Sequence, residues 1–282
     1  MNQSLNNTHP RCYIFGSGRS ILDLTPEEKD YLNAHPNTLS MNKYLAFHEK
    51  VGVVPAAHFI ADHHYPAHWC VAESIRRARH LVPKPRLLLH NYYRRLFQWN
   101  LRSAWRVRSL LWGLSTRWSL WKTHRFWFPL FTPRTSITWF HSQEDSRKPF
   151  CWAETLNDQL YFYRGSLTTA INLCNIIWPG RDVCLLGVDL NTRRAFYQED
   201  IDAMPELFAT MKQSAQERAA LSLEQGVHAT ALTYRGVPGV QAVIPMIVKE
   251  LERRNVRLLC CNPKSLLVTD GLCEYAPVIP EV

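Results

Sequence analysis

No uninterrupted apolar run in this chain approaches the ~20 residues that a helix needs to cross a bilayer, so no membrane-spanning helix is expected. The opening residues Met1–Thr8 are polar and lack the apolar centre of a secretion signal, which gives the expectation of a protein made and kept in the cytoplasm. No Cys-x-x-Cys spacing occurs among the eight cysteines (Cys12, Cys70, Cys151, Cys174, Cys184, Cys260, Cys261, Cys273). Most of them sit in apolar patterns and read as reduced core residues, not as zinc ligands or disulfides. Internal repeats, low-complexity tracts and paired-carboxylate motifs are also missing. What remains is a 282-residue globular chain, long enough to bury a sizeable core in one domain spanning 1–282 with an inserted subdomain.

The most uneven absence is that of acid. From Ser74 to Gln143 there is no Asp or Glu, while fourteen Lys and Arg residues fall between Arg76 and Arg134. The formal net charge is +9, so the rest of the chain is net negative. Seven of the ten tryptophans (Trp99, Trp105, Trp112, Trp118, Trp121, Trp127, Trp139) are interleaved with these cations. Residues 84–135 therefore read as a separate basic, Trp-rich helical insert. Residues 84–133 suit an anionic membrane surface, where each nearby cation contributes about 1 kcal/mol. The same composition suits a cap that packs its tryptophans on the core and leaves its arginines solvated. Single-stranded nucleic acid is less favoured, because the remainder is negative and no RNA- or DNA-binding motif is present.

Two stretches at opposite ends carry the clearest pattern. Tyr13-Ile14-Phe15-Gly16-Ser17-Gly18-Arg19-Ser20 and Val256-Arg257-Leu258-Leu259-Cys260-Cys261-Asn262-Pro263-Lys264-Ser265-Leu266-Leu267 each read as a buried strand entering a tight loop. In the first, Gly-x-Gly allows a sharp turn and the approach of a ligand phosphate or ribose to main-chain amides. The third glycine of the dinucleotide fingerprint and its acidic partner are missing, so the pattern by itself is weak. Strands are expected at 12–15, 38–41, 57–61, 86–90, 182–188 and 257–261. Helices are expected at 26–34, with Thr25 as cap and Pro26 at the first position, and at 67–80, 166–177 and 240–254. This alternation predicts an α/β fold with an open, mostly parallel Rossmann-like sheet and helices on both faces. Ligands bind such sheets beyond the carboxyl ends of the strands. Met41-Asn42-Lys43, His90-Asn91, Val188-Asp189 and Asn262-Pro263-Lys264 lie there.

Six motifs in order resemble the bacterial sialyltransferases of glycosyltransferase family 42 and, more broadly, the hydroxymethylpterin pyrophosphokinase-like group. They are Gly16-Ser17-Gly18-Arg19-Ser20, Met41-Asn42-Lys43, Asn91, Tyr163-Arg164-Gly165-Ser166, Gly187-Val188-Asp189 and Asn262-Pro263-Lys264-Ser265-Leu266-Leu267. The resemblance leaves the insert unmatched. It implies a GT-A-like sialyltransferase variant of the fold, with a lid over residues 190–228 that carries Tyr197 and ends in Gln225-Gly226-Val227-His228. The implied activity is inverting, metal-independent transfer of a CMP-activated acidic sugar to a cell-surface glycan or glycolipid such as lipopolysaccharide, at the cytoplasmic face of the membrane. No cofactor is implied, and self-association is left open. By the same resemblance His228 is the base, Tyr197 and Arg164 complete the catalytic set, and Gly16, Ser17, Gly18, Ser20, Asn42, Asn91, Gly165, Ser166, Asp189 and Asn191 surround the substrate.

Departures from the family pattern bear on activity. Ser17 replaces an asparagine, Asn191 stands where one leaving-group tyrosine lies, and Gln225 replaces the tyrosine before the histidine. Arg193 and Arg194 could take over from the missing phenols, because a guanidinium holds phosphate charge by two parallel hydrogen bonds; the plainer reading is a solvated lid face. Two other functions stay open. One is a Mg²⁺-dependent pyrophosphokinase-like phosphotransferase using Asp62, His63, His64 and Asp189. The other is a non-catalytic adaptor that keeps the fold.

Overall fold

The computed structural model describes residues 10–61, 67–94, 137–143, 148–192, 194–204 and 213–281. Within them nine parallel strands form one sheet: β1 Arg11–Phe15, β2 Thr38–Met41, β3 Ala57–Ile60, β4 Arg86–His90, β5 Ile137–Ser142, β6 Gln159–Leu160, β7 Asp182–Leu186, β8 Leu258–Cys260 and β9 Glu274–Tyr275. The order across the sheet is β6-β5-β4-β3-β2-β1-β7-β8-β9. The chain thus builds outward from β1 to one edge, returns beside β1 as β7, and builds out to the other edge. The register pairs Tyr13 with Thr38 on one side of β1 and with Cys184 on the other.

The strands are buried on both faces, as a parallel sheet covered by helices requires. Along β1, Cys12 and Ile14 join the cluster beneath the Ser166–Ile177 and Ile244–Glu252 helices. Their neighbours Tyr13 and Phe15 join Leu32, Tyr44 and Leu186 on the opposite face. The Pro26–Ala34 helix starts where local chemistry places it. The Thr25 side chain accepts from Glu28 N–H at 3.2 Å, and the Glu28 carboxylate accepts from Thr25 N–H at 2.8 Å. The Ser166–Ile177 helix is buried nearly throughout, so its polar side chains need partners inside the protein. Thr169 donates to Tyr161 O at 3.0 Å, and Asn172 bonds both the N–H and the carbonyl of Ala153. These bonds fix the segment that delivers Arg164 to Ser166.

Several expectations change in detail. The 240–254 helix divides into a 3-10 turn, Val240–Val243, and an α-helix, Ile244–Glu252, whose start is set by Pro245 in its first turn. β4 is an inner strand of the sheet, so Arg86–His90, placed inside the 84–135 insert, belongs to the core. Trp139, counted with the same module, lies on β5. Residues 95–135 of the insert, which carry most of the face expected to meet a membrane, lie outside the described residues. No helix of the described residues is long and apolar enough to cross a membrane.

Candidate functional site

The reversal of strand order between β1 and β7 opens a crevice at their carboxyl ends. Two glycine-bearing loops meet there. Gly16 N–H donates to Leu186 O at 2.7 Å, and Gly18 N–H to Gly187 O at 2.6 Å. A Cβ at Gly16 would lie 2.3 Å from Gly187 O, and one at Gly18 would lie 2.4 Å from Asp189 Oδ2. This corrects the expectation that these glycines free their amides for a phosphate. Both amides are spent on the neighbouring loop, and the missing side chains serve close backbone approach.

Asp189 holds this junction. It is buried, and its carboxylate accepts from Ser20 N–H at 3.1 Å, from the Ser20 hydroxyl, and from Asn262 Nδ2 at 2.8 Å. The Asn262–Leu267 motif closes around the same point. Ser265 donates to Val188 O at 2.6 Å, and Leu266 N–H to Asp189 O at 3.1 Å. Ser20 and Asp189 therefore brace three loops, β1's, β7's and β8's, against one another.

A second group comes from β2 and the helix after β6. Asn42, in the left-handed region at φ 51°, donates from Nδ2 to Ser166 Oγ at 2.8 Å and accepts at Oδ1 from Ala61 N–H at 3.1 Å. The Ser166–Ile177 helix begins beside it with no side-chain cap, and Gly165, Ser166 and Leu167 at its positive dipole end line the crevice. Gly165 admits the loop after His228, since a Cβ there would sit 2.8 Å from Thr230 Cγ2. The Arg164 guanidinium donates to the carbonyls of Ala229 and Leu232 and lies over the Tyr234 ring, 5.9 Å from its centroid. It pins the His228 loop.

His228 is held from both sides. Its N–H donates to Leu190 O at 2.9 Å, and Nδ1 lies 2.8 Å from Thr230 Oγ1 and 3.3 Å from Thr230 N. The N–H of Thr230 can only donate, while its hydroxyl can take either role, so with both contacts made Nδ1 accepts and the proton of the neutral ring lies on Nε2. Burial keeps the imidazole below its usual pKa, partly opposed by the charge of Asp189. Tyr197 is buried, stacks on Phe47 at 5.2 Å, and follows Phe196, whose N–H donates to Ser17 O at 2.9 Å.

These groups enclose a cavity of about 520 Å³, within the ~300–1,000 Å³ range of small-molecule sites. Gly16, Ser17, Gly18, Asn42, Arg164, Gly165, Ser166, Asp189, Tyr197 and His228 all line it. Ser20, Asn91 and Asn191 do not. Ser20 is turned to Asp189, and Asn191 donates to Lys264 O at 2.7 Å. Asn91, at the end of β4 three strands from β1, pairs with His141 Nε2 at 3.2 Å. Lining residues that the motifs did not identify include Gln143, Thr192 and Thr230. None carries a local sequence signal; each is brought in by the sheet or by the lid's return.

Charge in the cavity is lopsided. Among the described residues Lys43, Arg164 and Arg194 line it, against the single carboxylate of Asp189, which already serves three donors. No cluster of three His, Cys, Asp or Glu side chains suited to a metal occurs among the described residues. Asp62, His63, His64 and Arg193 lie outside them. In the lid, helices Gln198–Asp202 and Gln213–Gln225 flank residues 205–212, which are also outside. Comparison with protein families, curated proteins and solved structures finds no match to this chain.

Proposed function

We propose that this chain is a sialyltransferase-like glycosyltransferase, a GT-A-like variant of the α/β fold, that moves a CMP-activated acidic sugar to a hydroxyl of a cell-surface glycan such as lipopolysaccharide. The observation that carries the reading is convergence. Four of the six ordered motifs, from β1, β2, β7 and the helix after β6, line one cavity with Tyr197 and His228 at the switch point of a parallel sheet. The cavity is neutral to cationic and has an uncapped helix N-terminus, which suits a nucleotide phosphate.

The transfer divides among few groups. The acceptor hydroxyl oxygen attacks the anomeric carbon while its proton passes to His228 Nε2. The bond from that carbon to the phosphate oxygen breaks, and its electron pair stays on CMP. Nε2 can accept that proton only in the tautomer with the ring proton on Nδ1, so the base form requires Nδ1 to shift from accepting the Thr230 N–H to donating to Thr230 Oγ1. Burial lowers the histidine pKa and so favours the neutral ring that a base requires. Metal-independence is part of the proposal, as is attachment at the cytoplasmic face of the membrane through the basic, Trp-rich residues that follow β4. A Mg²⁺-dependent phosphotransferase is disfavoured, because the one described carboxylate in the cavity is committed to Ser20 and Asn262.

Thermal denaturation tests the reading. CMP in EDTA should raise Tm, and ATP with Mg²⁺ should not. The reverse pattern replaces glycosyl transfer with phosphoryl transfer, and no response to either supports an adaptor.

A further inference from the structure

Of the three described cations lining the cavity, Arg194 stands apart. Arg164 is held by the carbonyls of Ala229 and Leu232. Arg194 is exposed at the cavity lip, with no hydrogen bond or ion pair among the described residues. It is nonetheless carried on an anchored segment. Upstream, Leu190 O accepts from His228 N–H; downstream, Phe196 N–H bonds Ser17 O, and Tyr197 is packed on Phe47. The lid's first turn is thereby tied to the glycine loop on one side and to the histidine loop on the other. Asp189, the single lining carboxylate among the described residues, is surrounded by its own donors and is not paired with Arg194. An exposed guanidinium at the lip of a cavity whose one described carboxylate is already bonded is free to pair with an anion that enters with the ligand. Asn191, in the position of a leaving-group phenol in the resembling family, cannot supply that role here, since its amide is turned to Lys264 O.

We infer that Arg194 is a catalytic residue that binds the phosphate of the nucleotide and takes up the negative charge gained when the anomeric carbon–oxygen bond breaks. The inference rests on the reading of the cavity as a nucleotide-sugar site. In the balanced step, the proton leaves the acceptor for His228, the electron pair leaves the anomeric carbon for the phosphate oxygen, and Arg194 donates two hydrogen bonds to the dianionic phosphate of CMP. Charge develops on that oxygen only as the bond breaks, so the guanidinium holds the transition state more tightly than the bound donor.

The experiment compares wild type, Arg194→Gln and Arg194→Lys in three measurements: calorimetric affinity for cytidine, affinity for CMP, and CMP release from CMP-N-acetylneuraminic acid. Arg194→Gln should bind cytidine as wild type does, bind CMP about tenfold more weakly, and release CMP about 10²-fold more slowly. Arg194→Lys should recover part of the CMP affinity and less of the rate, because an ammonium cannot make the bidentate contact. Equal losses for cytidine and CMP, or an unchanged release rate in Arg194→Gln, would overturn the assignment alone. Wild type binding neither cytidine nor CMP would overturn the nucleotide reading and this inference with it.

Discussion

Replacing Asp189 should separate its bracing role from any contact with a ligand. The carboxylate is buried and accepts from Ser20 N–H, Ser20 Oγ and Asn262 Nδ2. A hydrogen bond to a charged group contributes about 1.5–3 kcal/mol, and a buried donor left without a partner costs ~1–3 kcal/mol. Asp189→Ala strands all three donors, and water entering the vacated space offsets part of the loss, so the expected destabilisation is about 4 kcal/mol. Asp189→Asn keeps one acceptor oxygen and turns an NH₂ toward donors, for an expected loss of about 2–3 kcal/mol. Urea unfolding monitored by circular dichroism measures both, with an unchanged dependence on denaturant indicating that the same surface is exposed. The charge of Asp189 also raises the His228 pKa against burial, so Asp189→Asn should move the acidic limb of the pH–rate profile to lower pH. A destabilisation below about 1 kcal/mol in Asp189→Ala would refute the three-loop brace.

Gly16→Ala places a methyl 2.3 Å from Gly187 O, so the two loops must separate; a loss of about 2 kcal/mol in stability and weaker CMP binding are expected from unfolding and calorimetry. His58 is fully buried between Ser40 Oγ at 2.8 Å and Ser74 Oγ at 3.2 Å, and burial holds its pKa at about 3 against an ordinary 6.5. Below pH 6.5 the unfolded chain takes up a proton that the native state refuses, so stability falls with pH from about 6.5 toward 3. From pH 7.5 to pH 5 the His58 contribution is a loss of about 2 kcal/mol, and His58→Asn should flatten the slope by that amount. Cosedimentation should show attachment to anionic vesicles at low salt that weakens at high salt, and no attachment to neutral vesicles.

Much of the frame was legible because apolar runs and caps are local. Thr38–Met41, Arg86–His90 and Ser166–Ile177 fall where their patterns place them, and Thr25-Pro26 with Glu28 marks a helix start in sequence as in space. Gln159–Leu160 and Glu274–Tyr275 are too short for a two-residue period to register, so β6 and β9 went unread. Ile137–Ser142 was hidden by composition, since Trp139 reads as the end of the aromatic run before it. In the site, the glycines signalled a tight loop correctly, but the destination of their amides depended on β7, which is distant in sequence. Asn191 and Asn91 were suggested by motif order and not by side-chain direction, which tertiary contacts with Lys264 and His141 decide. Thr230 and Gln143 had no motif at all.

The measurement that bears most directly on the central claim is sugar transfer by His228→Ala set beside its affinity for CMP. Positioned base catalysis gains about 10²–10⁴ in rate. If His228 takes the acceptor's proton, the variant should lose a factor in that range while binding CMP nearly as wild type does, because the nucleotide is held by the sheet loops and the Ser166–Ile177 helix. Turnover comparable to wild type, on any donor that supports transfer, would remove this histidine from the chemistry and contradict the account.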